Sequence, residues 1–381
     1  MQMPQGFRSF VTNAGIRDET LDFVVVISDA PCTSAAVFTQ SRFAGASVVV
    51  SREHAAHGTA RAMITLSKNS NVATGEQGLR DSRELATMVA AATGCAESEV
   101  IVATTGVIGR PLPMDRVRAA AVGISDGLAP ANFAAVAEGM MTTDTVPKLE
   151  TATVGNGSIV GVAKGVGMIS PSMATMLAFV FTDVAIDQPA LDAVFRRVVD
   201  QTFNCVSVDS DTSTSDSAAV FANGLAGRCD VAEFEAALLD VCTRLAKDIA
   251  RDGEGATHLI EVVVSNARDE AQAKKVARSI VDSPLVKTAV AGRDPNWGRI
   301  AMAIGKCHDE ADIDQEQVEI LIGGMSIYPP RGDIDLDAIG RHFAEPEVHI
   351  EARLNTGTAS ATMWGCDLTA EYVRINGEYA T

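Results

Sequence analysis

Short, unbroken apolar runs constrain this chain more than any other feature. Phe23-Val-Val-Val-Ile27, Val100-Ile-Val-Ala103 and Met176-Leu-Ala-Phe-Val-Phe181 contain no polar residue that could face water. Runs of this length fit buried strands and fall far short of a membrane span. Strands without a polar face need cover on both sides. Ala, Val, Gly and Ile are plentiful and aromatics make up only 5%, so layers of sheet and helix can approach closely. The expected class is α/β, with mixed sheets covered by helices rather than a doubly wound parallel fold. A length of 381 residues supplies ample core for two domains or one large layered one.

In the first half, strands are expected at 22–28, 35–39, 46–50, 62–66 and 99–105, with helices at 76–92, 114–122 and 132–141. In the second half, strands are expected at 175–182, 205–209, 258–264, 318–322, 348–352 and 362–365, with helices at 188–202, 231–251 and 269–281. The formal net charge of −18 argues against a nucleic-acid partner, which needs a basic face. It does not exclude a small anionic substrate, because a few Lys or Arg can line one pocket. The seven Cys are odd in number and show no CxxC spacing, which favours free thiols in a reducing compartment over disulfides or zinc. The start, Met1-Gln-Met-Pro-Gln-Gly-Phe7, lacks the basic and apolar regions of a signal peptide. A cytoplasmic protein without a membrane segment is expected.

Three stretches carry chemistry. In Lys164-Gly-Val-Gly-Met168 and the residues up to Phe179, a glycine-rich loop runs into an apolar strand at Thr175. Threonine is a poor nucleophile without a base, and its own α-amine can act as that base only after the preceding bond is cut. The segment therefore raises the possibility of self-cleavage between Ala174 and Thr175. Thr104-Thr-Gly-Val-Ile-Gly109 ends a strand in a sharp turn whose hydroxyl and N–H groups suit a developing oxyanion. Asp209-Ser-Asp-Thr-Ser-Thr-Ser-Asp216 offers paired acids, but its Ser and Thr fit a turn capping a helix from Ser217 better than a metal site. Glu254, in Asp252-Gly-Glu-Gly-Ala256, fits a capping turn after a helix. The glycines between Gly155 and Gly167 lack dinucleotide-loop spacing. On residues alone, these pieces point to acyl transfer and no further.

The chain resembles the ornithine acetyltransferase (glutamate N-acetyltransferase) family over essentially its whole length. The resemblance rests on Thr104–Gly109, Met141-Thr-Thr-Asp-Thr-Val-Pro-Lys148, Lys164–Met168 with Met173-Ala-Thr-Met-Leu177, Asp211-Thr-Ser-Thr214, Asp252–Ala256, Asp294-Pro-Asn-Trp-Gly-Arg299 and Tyr372-Val-Arg-Ile-Asn376 through Thr381. Ser41–Ser47, Asn71–Gly75 and Ile313–Glu316 resemble most closely the paralogue found with clavulanic acid biosynthesis. Leu66-Ser-Lys-Asn-Ser-Asn71 and Ser170-Pro-Ser172 depart from the arginine-pathway pattern and put substrate preference in question. The resemblance implies an α/β/β/α layered sandwich of the self-processing, N-terminal-threonine type. It implies cleavage before Thr175 into an alpha chain, 1–174, and a beta chain, 175–381, assembled as two copies of each. It implies Thr175 as nucleophile, Thr105 and Gly106 as oxyanion donors, and Thr142, Thr143, Lys164, Thr175, Glu254, Asn376 and Thr381 as substrate contacts. The implied reaction moves acetyl from N-acetyl-L-ornithine to L-glutamate through an acetyl-threonine, with no cofactor or metal. Two further readings are an enzyme that also makes N-acetylglutamate from acetyl-CoA, and a self-cutting amidohydrolase or aminopeptidase.

Overall fold

The structure is a computed structural model that describes residues 2–170, 176–330 and 332–378. Among these residues the strands form three sheets. The first contains β1 (Phe7–Thr12), β2 (Phe23–Ser28), β4 (Ala62–Leu66), β5 (Val100–Thr104) and β6 (Ala129–Pro130), in the order β5-β4-β2-β1-β6. The second contains β3 (Thr33–Phe38), β7 (Lys148–Val154), β8 (Gly157–Lys164), β9 (Leu177–Ala185) and β11 (Ser217–Arg228), in the order β3-β11-β9-β8-β7. The third contains β10 (Val206–Ser207), β12 (Leu259–Ala267), β13 (Glu319–Ile322), β14 (Met325–Tyr328), β15 (Glu347–Arg353) and β16 (Ala359–Cys366), in the order β10-β16-β12-β15-β13-β14. Helices relevant to the site are α1 (Ala46–Ala55), α2 (Gly75–Thr93), α3 (Met114–Ala121), α4 (Ile124–Gly127), α5 (Phe133–Met140), α6 (Gln188–Gln201), α7 (Val231–Arg251) and α8 (Glu270–Val281).

Alternation along the apolar runs explains the layering. In β2, Val24 and Val26 join Phe179, Phe181 and Phe221 of the second sheet in one core. The intervening Phe23, Val25 and Ile27 point the other way, into a core with Leu85 and Val89 of α2 and Val117 of α3. In β9, Ala178 and Val180 pack with Phe195 of α6 and Leu238 and Leu245 of α7. Helices thus cover the outer faces of two stacked sheets, an α/β/β/α arrangement, and the runs have no polar face because neither face meets water. The third sheet shares the α7 core and is covered by α8.

Two expected elements differ. Residues 46–50 belong to α1, not a strand. The β-branched run is placed on a helix because Ser47 and Ser51, four residues apart, both face β5 at the edge of the first sheet. The Ser51 hydroxyl donates to Val102 O and accepts from Val102 N, each at 2.7 Å, and Ser47 Oγ lies 2.9 Å from Thr104 Oγ1. A helix thereby satisfies an edge that a further strand would otherwise pair. The stretch from Ser217 is strand β11, not a helix. Its Ala and Ser residues fit the tight space between β3 and β9, where both sheet faces are covered.

Gly161 lets α7 lie close against the second sheet. A Cβ there would lie 2.7 Å from Leu245 Cδ1 and 2.9 Å from Val241 Cγ1. Gly161→Val should therefore destabilise the fold by about 1–3 kcal/mol through overpacking, read as a lower urea midpoint.

Candidate active site

Strand register brings three loops to one end of the second sheet. β8 and β9 are antiparallel neighbours with Lys164 opposite Leu177, so the chain leaves β8 and enters β9 at the same end of the sheet. β11 runs parallel to β9 with Ser217 beside Leu177, which delivers the loop before it to the same place. Two aspartates on that loop hold the chain just after β8 and just before β9. Asp209 accepts N–H bonds from Met168 at 2.6 Å and Ile169 at 2.9 Å, and Asp216 Oδ1 accepts from Met176 N at 2.8 Å. The acids of the Asp209–Asp216 stretch therefore anchor a loop; they cap no helix.

A cleft of about 440 Å³ opens here, and its lining includes Thr105, Gly106, Thr142, Thr143, Lys164, Glu254 and Asn376. These are the expected site residues that fall within the described part of the chain. Ala174, Thr175 and Thr381 lie outside the described residues. Thr105 N–H donates to Leu66 O at 3.0 Å, which leaves the Thr105 hydroxyl as its group for a ligand. That hydroxyl sits 3.3 Å from Lys164 Nζ. Gly106 has φ +129, and a Cβ there would lie 2.3 Å from the Lys68 carbonyl carbon, so only glycine lets the turn lie against that backbone. Glu254 is held between Thr143 Oγ1 and Asn376 Nδ2, each donating at 2.9 Å. Gly167 gives the carboxylate room, since a Cβ there would sit 2.6 Å from Glu254 Oε2.

Beneath the cleft lies a charged network that sequence reading did not pick out. Lys148 Nζ donates to Asp144 Oδ1 at 2.8 Å and Asp252 Oδ2 at 2.6 Å, with Lys148 only 1% exposed. Asp144 also accepts N–H bonds from Thr142 at 3.1 Å and Gly165 at 2.8 Å. One carboxylate thus ties the Thr142–Thr143 turn to the end of β8, and Lys148 ties both to the end of α7, two residues before Glu254. Asp144, Lys148 and Asp252 fall within the Met141–Lys148 and Asp252–Ala256 blocks, but nothing in those blocks says that the three charges meet, and the i,i+4 spacing of Asp144 and Lys148 reads equally as a surface pair. Burial by itself would raise the Asp144 pKa, but Lys164 and Lys148 outweigh it and hold the carboxyl at about 2. Burial pulls Lys164 below its ordinary value, with Asp144 opposing. Burial pushes Asp216 well above the carboxylate range, with the Met176 N–H and Lys164 opposing.

Lys148→Met leaves two buried carboxylates without their cation and should cost about 3–5 kcal/mol in urea unfolding. Asp144 is depressed in the folded state relative to its ordinary 3.8, so its stabilisation is present above about pH 4 and is lost as pH falls toward 2. A stability profile that stays flat across that interval contradicts this assignment.

The ArgJ family model matches residues 8–381. The arginine biosynthesis bifunctional protein ArgJ 2 of Nostoc sp. is 54% identical over 99% of this chain and 98% of its own. The glutamate N-acetyltransferase Oat2 of Streptomyces clavuligerus is 51% identical over the same shares. The crystal structure of arginine biosynthesis bifunctional protein ArgJ from Bacillus halodurans is 41% identical, with a TM-score of 0.49, covering 52% of this chain and 96% of that one. The Streptomyces protein is not favoured over the Nostoc protein, so similarity does not single out a specialised paralogue. The family model and the near full-length identities together establish that this chain belongs to the ArgJ family of ornithine-type acetyltransferases.

Proposed function

We propose that the chain cuts itself between Ala174 and Thr175 and then uses Thr175 to carry acetyl from N-acetyl-L-ornithine to L-glutamate. The observation that carries this reading is the convergence on one cleft of Thr105, Gly106, Thr142, Thr143, Lys164, Glu254 and Asn376. In the precursor, the Thr175 hydroxyl attacks the Ala174 carbonyl to give an ester, and water hydrolyses that ester. The freed α-amine, with an ordinary pKa of about 7.7–8, can then take the hydroxyl proton near working pH. Thr175 Oγ attacks the acetyl carbonyl of N-acetylornithine, and the oxyanion is met by the Thr105 hydroxyl and Gly106. Ornithine leaves, and the α-amine of glutamate takes the acetyl group from Thr175 in a ping-pong cycle.

Polar groups in the cleft suit an amino-acid ligand. Lys164 is buried and, among the described residues, its hydrogen bond is to Thr105 rather than to a carboxylate, which leaves a cation for a substrate carboxylate. Glu254, steadied by Thr143 and Asn376, suits the side-chain ammonium of ornithine. Thr142 and the C-terminal Thr381 complete the proposed contacts, and two copies of each piece form the proposed assembly. Acetyl transfer from an amide needs no cofactor.

The bifunctional reading, in which acetyl-CoA also serves as donor, has the better support of the two acetyltransferase readings. Relatives such as the Nostoc protein are named bifunctional, and that name suits a second donor. Near full-length identity to proteins named for acetyl transfer supports transfer over hydrolysis.

Denaturing electrophoresis of the purified protein should show two pieces, the second beginning at Thr175. Thr175→Ala should remain whole and inactive, while Thr175→Ser keeps part of both activities. An uncut chain that transfers acetyl at full rate overturns the self-processing reading. With acetyl-CoA and glutamate alone, the protein should release free CoA and N-acetylglutamate; no release leaves the single-donor reading. Glu254→Gln should raise KM for N-acetylornithine about tenfold, as expected for losing a charged hydrogen-bond partner.

A further inference from the structure

Asn376 reaches the cleft from the C-terminal helix, Ala370–Glu378, and little apolar packing holds that helix in place. None of its residues is buried, and it adds no side chain to any of the three cores. Tyr372 and Ile375 are half-buried, while Val373 between them is 68% exposed. A helix of nine residues is marginal by itself. Polar contacts must therefore fix where Asn376 sits.

Those contacts converge on the turn that carries Glu254 and on the loop after β8. At the start of the helix, Thr369 Oγ1 donates to Gly255 O at 2.7 Å and accepts from Glu371 N at 3.2 Å. Gly255 permits this close approach, since a Cβ there would lie 2.5 Å from Tyr372 N. The Tyr372 hydroxyl then donates to Asp209 Oδ2 at 3.3 Å. The same oxygen accepts the Met168 N–H, and Asp209 Oδ1 accepts that of Ile169. One carboxylate thus joins the helix to the chain just after β8. One turn further along, Asn376 Nδ2 donates to Glu254 Oε2 at 2.9 Å and to Tyr372 O at 3.1 Å. Tyr372 therefore makes both connections: its hydroxyl reaches the anchored Asp209, and its carbonyl holds the Asn376 amide. Tyr372 itself does not line the cleft.

We propose that Tyr372 is a positioning residue for donor binding. By tying the C-terminal helix to Asp209, it sets the Asn376 amide against Glu254 and so orients that carboxylate for the side-chain ammonium of N-acetylornithine. This role rests on the reading of Glu254 as the partner of that ammonium. Glutamate has no side-chain ammonium, so the effect of Tyr372 falls on the donor and not on the acceptor.

Tyr372→Phe removes the hydroxyl and keeps the ring. In steady-state kinetics of the whole enzyme, the KM for N-acetylornithine should rise about fivefold, in the range for one hydrogen bond to a charged group. The kcat and the KM for glutamate should stay as they are, because only ground-state binding of the donor is lost. Thermal melting confirms that each variant folds. In Asn376→Ala, where the helix has lost its hold on Glu254, adding Tyr372→Phe should raise the KM for N-acetylornithine no further. A merely structural role would give additive effects instead. An unchanged KM for N-acetylornithine, an equal rise for both substrates, or additivity with Asn376→Ala overturns the proposal. Glu254→Gln run in parallel keeps the two ideas apart. If it raises the KM for N-acetylornithine while Tyr372→Phe does not, the Tyr372 role alone is wrong; if it leaves that KM unchanged, the Glu254 reading fails and the Tyr372 role falls with it.

Discussion

The buried Asp144 carboxylate is the interaction on which the site depends. It receives Lys148, the Thr142 N–H and the Gly165 N–H, and through Lys148 it is linked to Asp252 at the end of α7. Three chain segments that are distant in sequence are thereby fixed around one charge. Buried ion pairs contribute little net stability compared with apolar packing, but breaking one is expensive. Here the arrangement sets geometry: the Thr142–Thr143 turn, Lys164 and Glu254 cannot shift independently, because each borders a residue of the same network.

The sandwich supplies what that network needs. Stacked sheets with helices on both outer faces keep water from Lys148 and Asp144, so their mutual attraction acts in a medium of low polarity. Antiparallel β8 and β9 place Lys164 and Leu177 at one end of the sheet, and parallel β11 brings Asp209 and Asp216 to the same end. The two aspartates then hold the chain just after β8 and just before β9. The same burial that strengthens the Lys148 pair pushes the Asp216 carboxyl above its ordinary range.

Much of this was legible in the sequence, for identifiable reasons. Apolar runs such as Phe23–Ile27 announced strands without a polar face, and the layered class followed. Residues 46–50 were misread because β-branched content favours strands locally, whereas the decisive facts, Ser47 and Ser51 facing the edge of β5, are tertiary. Ser217 onward was misread because small residues suit a helix in isolation, yet are also what a strand enclosed on both faces requires. Thr105, Lys164 and Glu254 could be named from family motifs, but no spacing rule says that they share a cleft. The roles of Lys148 and Asp216 were not legible at all. A charged residue near a motif reads as surface until burial and partners are known, and the separation of 104 positions between Lys148 and Asp252 gives no local sign that the two meet.

The account's central claim is that Thr175 carries the acetyl group, and the most direct measurement is the intact mass of the enzyme during turnover. Given N-acetylornithine without an acceptor, the piece beginning at Thr175 should become heavier by one acetyl group, located at its first residue. Adding glutamate should return it to its original mass as N-acetylglutamate forms. If N-acetylglutamate forms at the full rate while no acetylated piece is ever detected, transfer passes directly between substrates and the account is contradicted.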